Sequence, residues 1–325
     1  METGSRGDNA PNKELEVLIP SEPDRLQAPP RAAPLSTAAT ARLDPRVLPR
    51  LNGTMQIKVT TWNINSVRLR IDLVARLIKS VRPDVLCLQE IKCPVDAFPY
   101  KRFKRLGYEH VAINGQKGYH GVAVVSRLPF ESTATKQYCG ITDARHVGAI
   151  LGEKAGLRDP LSIHNYYVPA GGDEPDPQVN PKFKHKLDFL DELTTCEHAR
   201  PQDGARSILV GDLNVAPLEC DVWSHKALLK VVSHTPIECE KLVAAQRAGQ
   251  WIDATRTFLR EPEKVYTWWS YRSPDWAAAD KGRRLDHVWV SPALGDRLTG
   301  IKIAREARGW ERPSDHVPVT ATLDV

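Results

Sequence analysis

Three short apolar runs, far apart in the chain, each have acidic, amide or histidine residues at one end, and this pattern restricts the fold more than any other feature. The runs with their polar ends cover residues 85–90, 208–214 and 314–319. A short apolar run bounded by turn residues is typical of a buried strand. A buried carboxylate is costly unless it meets a cation or a hydrogen-bond donor, and a common pocket would form if the three strand ends converge. The pocket formed there would contain Glu90, Asp212, Asn214, Asp315 and His316.

These side chains have the composition that metal-assisted hydrolysis of a phosphodiester requires. Carboxylate and amide oxygens suit a hard cation such as Mg²⁺. A further acid can activate water, and other groups can support the negative charge that develops during the reaction. The pattern therefore indicates a hydrolytic metal centre.

The composition limits the class of protein. The chain has 325 residues, 41% hydrophobic and 26% charged, which is typical of a soluble globular protein. No apolar stretch approaches the roughly 20 residues that a membrane helix needs, so we expect no membrane contact. The six cysteines form no Cys-x-x-Cys pair, which favours free thiols in a reducing compartment over a zinc or redox motif. The net charge of +5 is compatible with a polyanionic ligand but does not require one.

Residues 1–54 differ from the rest of the chain. They contain eight of the 25 prolines and no Phe, Trp or Tyr. Such a segment cannot bury enough surface to offset the entropy of ordering, so we predict a disordered extension. It lacks the apolar core of a secretory signal. Met55 directly precedes the first predicted strand, and translation from Met55, with a mis-assigned start, is the alternative interpretation.

From residue 55 to 325, predicted strands and helices alternate, which favours one α/β domain with two sheets and helices outside. Helices are expected at 71–81 from apolar residues at 3.6-residue spacing, at 98–106, and after the cap-and-proline pair Asn180-Pro181. Strands are expected at 56–61, 84–89, 109–113, 121–126, 147–151, 161–168, 207–211, 266–269, 284–290, 301–305 and 317–323.

Several candidate residues also have ordinary structural explanations. Asn63 and Asn65, on one side of an extended chain, could orient a metal-bound water or a catalytic carboxylate, but they also fit an Asx turn. Glu90 suits a metal, yet it could simply pair with Lys92 at the surface. Asp212 and Asn214 could form a plain turn, although the preceding Gly211 would allow a ligand to approach the backbone closely.

Two further segments allow both kinds of interpretation. His316 and Asp286 could form a histidine–carboxylate pair that fixes the tautomer, whereas single histidines are more often structural. The aromatic segment 266–272 ends in Arg272 and could stack bases or grip a nucleic-acid backbone. It could equally pack in the core with period 2, and we expect about half of its rings to be buried.

Taken in order, these motifs resemble the exonuclease III family of apurinic/apyrimidinic (AP) endonucleases, from Met55 to near Val325. Lys92 after the acidic Glu90 and the segment around Trp268 are similar to the DNA-repair branch in particular. The motifs are Trp62-Asn63-Ile64-Asn65, Leu88-Gln89-Glu90-Ile91-Lys92, Gly121-Val122-Ala123, Tyr167-Val168-Pro169, Gly211-Asp212-Leu213-Asn214-Val215-Ala216-Pro217, Thr267-Trp268, Arg284-Leu285-Asp286 and Ser314-Asp315-His316-Val317-Pro318-Val319.

The resemblance implies a four-layered α/β sandwich like that of deoxyribonuclease I, with two mixed β-sheets packed face to face and helices outside. It implies hydrolysis of DNA 5′ to abasic sites with Mg²⁺, for which Mn²⁺ could substitute, together with 3′→5′ exonuclease and 3′-phosphodiesterase activity. The expected partner is double-stranded DNA with abasic sites or 3′ ends. A monomeric, cytoplasmic protein, associated with the nucleoid when bound to DNA, is also expected.

The resemblance also implies roles for individual residues. Glu90 resembles the principal metal ligand, with Asn65 where some relatives carry an Asp and Asp315 near the metal or the leaving oxygen. Asp212 would activate water beside Asn214, and His316, held by Asp286, would stabilise the phosphorane. The remaining roles are Tyr167 directed at the phosphate, Asn63 as support, Trp268 in the sugar pocket, and Lys186 on the DNA backbone.

One position departs from the pattern of the family. Many relatives place an Asn or Gln after the Tyr-x-Pro motif, where it contacts the scissile phosphate, but here Ala170 follows. That contact is then absent or supplied by another residue such as Arg145. Two other functions stay open from the sequence: a phosphodiesterase acting on lipid or inositol phosphates, and a catalytically silent DNA-binding homologue.

Overall fold

The computed structural model describes residues 55–325, and the predicted disordered extension at 1–54 lies outside the described residues. The strands are β1 Gln56–Asn63, β2 Val85–Gln89, β3 His110–Asn114, β4 Val122–Ser126, β5 Ser132–Ala134, β6 His146–Leu151, β7 Leu161–Tyr167, β8 Arg206–Asp212, β9 Ile252–Asp253, β10 Asp286–Val290, β11 Leu298–Ile303 and β12 Val319–Asp324. The helices are α1 Ile71–Val81, α2 Tyr100–Arg105, α3 Pro181–Thr195, α4 His225–Leu228, α5 Pro236–Ala248, α6 Ala254–Phe258 and α7 Trp276–Ala279.

The strands form two mixed six-stranded sheets, in the orders β11-β12-β1-β2-β4-β3 and β5-β6-β7-β8-β10-β9. Strand β2 shows how period-2 alternation builds the layers. Its Val85 and Cys87 join the core between the sheets, whereas Leu86 and Leu88 pack with Leu77 of α1 on the outside. Helices α3 and α5 cover the outer face of the second sheet. The predicted four-layered sandwich is therefore confirmed.

One predicted strand is wrong. Residues 266–269 form only isolated bridges, from Trp268 to Arg283 on one side and to His316 on the other. The segment is too short for a ladder, and Trp268 is shared between two neighbours. Helices α4, α5, α6 and α7 and the short strands β5 and β9 have no counterpart among the predicted elements.

Gly211 has a different role from the one expected. Its φ is +145°, and a Cβ added there would lie 1.9 Å from the carbonyl oxygen of Tyr166. The glycine is therefore required by close approach of the neighbouring strand β7, not by approach of a ligand.

The registers bring the polar strand ends to one edge of the sandwich. Parallel β1 and β2 end together, with Asn63 opposite Gln89, and parallel β7 and β8 end with Tyr167 opposite Asp212. Antiparallel β10 begins there, with Asp286 opposite Asp212. Among residues 55–325, no helix is long and apolar enough to cross a membrane.

Candidate active site

Asp212 lies at the centre of the converged strand ends and is only 1% exposed. Its Oδ2 accepts hydrogen bonds from Asn63 Nδ2 at 2.9 Å and Asn214 Nδ2 at 3.2 Å. Its Oδ1 accepts from the backbone N–H of Asn214 at 3.0 Å. Burial raises the pKa of Asp212 to about 7, against the opposing charge of His316. A carboxylate with such a pKa is suited to accept a proton near neutral pH.

His316 lies between two carboxylates. Its Nδ1–H donates to Asp286 Oδ2 at 2.8 Å, and its Nε2 lies 3.6 Å from Asp212 Oδ2. Burial works against the charged ring, but Asp286 and Asp212 raise the pKa of His316 to about 10. The three residues could converge on a metal ion by distance alone. Because a histidine ligand must be neutral with a free lone pair, we assign this group to proton and charge handling instead.

Glu90 forms a second anionic centre beside Asp212. Its Oε1 accepts from Asn63 Nδ2 at 3.0 Å and from the Tyr167 hydroxyl at 2.9 Å, and its Oε2 lies 2.8 Å from Lys92 Nζ. Burial opposes ionisation, but Lys92 and the amide of Asn63 prevail and lower the pKa of Glu90. Asn63 thus bridges two carboxylates with one amide nitrogen and fixes their relative position.

Asn65 connects Lys92, the partner of Glu90, to Asp315. Its Oδ1 accepts from Lys92 Nζ at 2.6 Å, and its Nδ2 donates to Asp315 Oδ1 at 3.2 Å. The other oxygen of Asp315 accepts from the indole N–H of Trp268 at 3.0 Å. Burial again opposes ionisation, but His316, Trp268 and Asn65 together lower the pKa of Asp315.

The Asx turn and the Glu90–Lys92 ion pair that the sequence also allowed are both present, and they form part of the cluster of polar side chains. The backbone N–H of Asn65 donates to Asn63 Oδ1 at 3.1 Å, which is the expected Asx turn. Glu90 does pair with Lys92, but inside the cluster rather than at a free surface. Asn65, Glu90, Lys92 and Asn214 have φ values of 48°, 49°, 50° and 54°, which side chains with a Cβ rarely adopt. Such conformations concentrate at functional sites, where the surroundings hold them.

The donor atoms of this region fit a hard divalent cation. Glu90, Asn65 and Asp315 offer only oxygen ligands, and two of them are carboxylates whose surroundings keep them ionised. The ammonium of Lys92 lies between Glu90 and Asn65, so this position already attracts positive charge. Asn65 contacts Asp315 directly and is connected to Glu90 through Lys92, so the three residues expected to hold a metal form one chemically suitable group.

The two anionic centres open into a cleft of about 850 Å³. Trp268 and Arg272 lie on its wall, as expected, and Ala170 lines it without offering a hydrogen-bonding side chain. Of the aromatic segment, Tyr266 and Trp269 are buried, whereas Tyr271 is 48% exposed. The expectation that about half of these rings belong to the core is consistent with this placement.

Lys186 is not placed as expected for a phosphate contact. It is fully buried, pairs with Glu238, and donates to the carbonyl oxygens of Asn214 at 2.8 Å and Ala170 at 3.3 Å. Its ammonium is used inside the protein, where it holds the loop that carries Asn214. The spacing from Phe183 by three residues would have assigned Lys186 to the buried face of α3.

Arg145 is also directed inward. It is 5% exposed, pairs with Asp143, donates to the carbonyl oxygen of Tyr167 at 3.2 Å, and lies 5.2 Å from the Tyr167 ring centroid. It does not line the cleft, so this geometry does not support Arg145 as the replacement phosphate contact. Instead it holds Tyr167 in place.

Sequence reasoning missed Lys92 as the bridge between Glu90 and Asn65, and it missed the cleft residues Trp223, Lys281 and Arg283. The last two lie on the same segment as the recognised Asp286, but no local pattern identifies them, because period-2 alternation counted from Asp286 selects Arg284 instead.

Residues 60–316 match the model of the Endonuclease/Exonuclease/phosphatase family. The chain belongs to this family. It is 30% identical over 275 residues to exodeoxyribonuclease III of Haemophilus influenzae, covering 82% of this chain and 99% of that protein. It is therefore an enzyme, a nuclease of the exodeoxyribonuclease III and AP endonuclease branch.

Solved structures of family members have the same fold. An AP endonuclease from Archaeoglobus fulgidus superimposes with a TM-score of 0.75 at 30% identity, covering 83% of this chain and all of that chain. The 3′ phosphatase NExo from Neisseria, bound to a product DNA hairpin, has a TM-score of 0.73 at 30% identity over 83% of this chain and 100% of its own.

Proposed function

We propose that this enzyme hydrolyses DNA on the 5′ side of abasic sites and that the same site supports 3′→5′ exonuclease and 3′-phosphodiesterase activity. The observation that carries the proposal is the pair formed by Asp212 and His316. A buried carboxylate of raised pKa and a protonated imidazole, 3.6 Å apart, face one cleft. One group can accept a proton from water while the other neutralises charge on phosphate.

Each neighbouring residue then has a definite task. Asn63 and Asn214 hold the Asp212 carboxylate by hydrogen bonds to Oδ2, so it is oriented before substrate arrives. Asp286 holds the imidazole of His316 in the protonated, donating orientation. The hydroxyl of Tyr167, bonded to Glu90 at 2.9 Å, can turn from that carboxylate to a phosphate oxygen.

Mg²⁺, or Mn²⁺ in its place, would be held by Glu90 with Asn65 and Asp315. When bound, the cation would supply charge stabilisation to the phosphate oxygens. The ionised state of Glu90 and the oxygen-only donor set support this assignment.

Recognition of double-stranded DNA is assigned to the wall of the same cleft. Trp268 would line the space for the abasic sugar, and Arg272 would pair with backbone phosphate. The net charge of +5 is compatible with this ligand. We propose that the enzyme acts as a monomer in the cytoplasm, near the nucleoid.

The decisive experiment measures nicking of a duplex with one abasic analogue, with Mg²⁺ and with chelator. Cleavage 5′ to the analogue, lost on chelation, supports the proposal, and Asp212→Asn should abolish most of it. Asp296→Asn, the same change at an exposed position outside the cleft, is the matched control. Binding without nicking would indicate a silent homologue, and turnover of inositol phosphates instead of DNA would indicate the lipid or inositol phosphodiesterase.

A further inference from the structure

The segment before Asp286 presents alternate side chains to the cleft. Lys281, Arg283 and Leu285 line the cavity, whereas the intervening Arg284 is directed to the interior. This alternation is the period of an extended chain. The cleft wall next to the catalytic acids therefore changes from apolar at Leu285 to cationic at Arg283.

The two adjacent arginines differ in how their charge is compensated. Arg284 is fully buried and pairs with Asp221 at 2.6 Å and Asp253 at 2.7 Å. Arg283 is partly buried, and within residues 55–325 no carboxylate oxygen forms an ion pair with it. Glu238 is near enough to affect it electrostatically, but that carboxylate is already paired with Lys186.

The guanidinium of Arg283 is nevertheless held in a fixed position. One of its terminal nitrogens donates to the carbonyl oxygen of Val232 at 2.9 Å and to Ser233 Oγ at 2.7 Å. Its central carbon lies 5.1 Å from the ring centroid of Trp268. Trp268 in turn bridges to His316 and bonds Asp315, so Arg283 is tied to the catalytic residues through one indole. Burial lowers the pKa of Arg283 from its usual range, but an arginine stays protonated.

A partly desolvated cation without a counter-ion is costly, and a ligand that brings a negative charge removes part of that cost. We propose that Arg283 is a specificity-determining residue, which favours substrates whose released fragment carries a negative charge in addition to the phosphate under attack. The apolar and aromatic neighbours Leu285 and Trp268 would hold the rest of a small, sugar-sized fragment.

This inference rests on the proposed function and specifies its substrate class. Water adds to phosphorus, the bond between phosphorus and the 3′ oxygen breaks, and that oxygen leaves with a proton as a 3′ hydroxyl. The phosphate stays on the released fragment, and a second anionic group on that fragment, such as a carboxylate, would pair with Arg283. Nothing but water is consumed.

The test compares two nicked duplexes whose 3′ ends differ by one functional group. One ends in 3′-phosphoglycolate, which carries a carboxylate, and the other in a 3′-phospho-2-hydroxyethyl group, which is neutral at that position. The ratio of kcat/KM for the two ends is measured for the full-length enzyme, for Arg283→Leu and for Arg283→Lys. Arg76→Leu is the matched control, since Arg76 also lies over a tryptophan, at 4.4 Å from the Trp310 ring, but outside the cleft.

The wild-type enzyme should prefer the glycolate end, and Arg283→Leu should reduce that preference about tenfold or more, the effect of losing a hydrogen bond to a charged group. Arg283→Lys should keep an intermediate preference because it retains the charge without the planar fork. If Arg283 only clamps residues 232 and 233, both rates fall equally and the ratio stays unchanged, which overturns the inference.

The behaviour of the wild-type enzyme distinguishes failure of the proposed function from failure of the role of Arg283. If the wild-type enzyme cuts neither end nor an abasic duplex, the proposed function itself is wrong. If it cuts both ends without preference, only the role of Arg283 is wrong. Should Arg283→Leu fail to fold by circular dichroism, the wild-type ratio and that of Arg283→Lys still decide the question.

Discussion

The imidazole of His316 donates its Nδ1–H to Asp286 over 2.8 Å, and this bond fixes which nitrogen faces Asp212. Asp286 does not line the cleft, so it acts through His316. The relationship makes the charge on the imidazole depend on a carboxylate that substrate would not touch.

His316→Ala should depress turnover by about 10²-fold or more, and Asp286→Ala should have a weaker effect of the same kind. Because one residue acts through the other, the two losses should be strongly non-additive in a double-mutant cycle. Steady-state kinetics on the abasic duplex give the turnover of the wild-type enzyme, the two single variants and the double variant. Additive losses would show that the contact has no part in turnover.

Asp212→Asn keeps the size of the side chain but removes the charge that accepts a proton. We expect turnover to fall by at least about 10²-fold. Binding of the abasic duplex should survive or improve, because a negative group facing phosphate is gone. Single-turnover rates and a binding titration in chelator separate the two quantities, and near-normal turnover would reject Asp212 as the water-activating residue.

Glu90→Gln should raise the Mg²⁺ concentration needed for half-maximal rate, since a hard cation loses a charged ligand. His316→Ala should leave that concentration unchanged. Glu131→Gln, at a Glu paired with Lys154 outside the cleft, is the matched control. An unchanged Mg²⁺ requirement in Glu90→Gln would remove Glu90 from the metal site.

Lys186 and Arg272 should respond differently, because only Arg272 lines the cleft. Arg272→Ala should reduce the slope of log K against log salt by roughly one unit or less. Lys186→Ala should leave the slope unchanged and lower the free energy of unfolding by about 3–5 kcal/mol, since Glu238 would be left as an unpaired buried charge.

Denaturant titrations and binding at several salt concentrations measure both effects. The double variant Lys186→Met with Glu238→Gln should recover part of the lost stability, because neither charge is then left alone. A reduced salt slope in Lys186→Ala would restore Lys186 to the DNA interface.

His287 should make the stability depend on pH. It is fully buried and donates to the carbonyl oxygen of Val215 at 2.9 Å. Burial, and then the charge of Arg284, lower its pKa from 6.5 to about 4. Because the pKa of His287 is lower in the folded than in the unfolded state, its contribution to the free energy of unfolding is fully present above pH 6.5 and is lost as pH falls towards 4. The free energy of unfolding should therefore fall by at most about 1.4 kcal/mol per pH unit through this group.

Unfolding by denaturant at several pH values tests this expectation. His287→Gln should be less stable at neutral pH and should show a shallower decline between pH 6.5 and 4. Equal slopes for the wild-type and variant proteins would mean that His287 does not titrate on unfolding in this range.

Two lysines and two arginines have partners that no local sequence pattern predicts. Lys92 and Lys186 both follow recognisable motifs, but only the fold shows that one bridges Glu90 and Asn65 while the other pairs with buried Glu238. Arg283 and Arg284 are neighbours in the chain, and the local pattern does not say which one meets Asp221. The partners of these cations come from distant segments, so no local pattern contains them.

The sequence by itself determined most of the strands, the helices α1, α2 and α3, and the polar residues at the strand ends. Apolar runs with period 2 or 3.6 specify strands and helices locally, and the cost of burying Glu90, Asp212 and Asp315 requires that their strand ends find donors or cations. Only the tertiary structure decided that Asn63 bridges Glu90 and Asp212, and that Gly211 serves the neighbouring strand. A hydrogen bond requires that the donor–acceptor distance be correct to within a few tenths of an ångström. For segments far apart in the chain, the packing of the two sheets sets that distance.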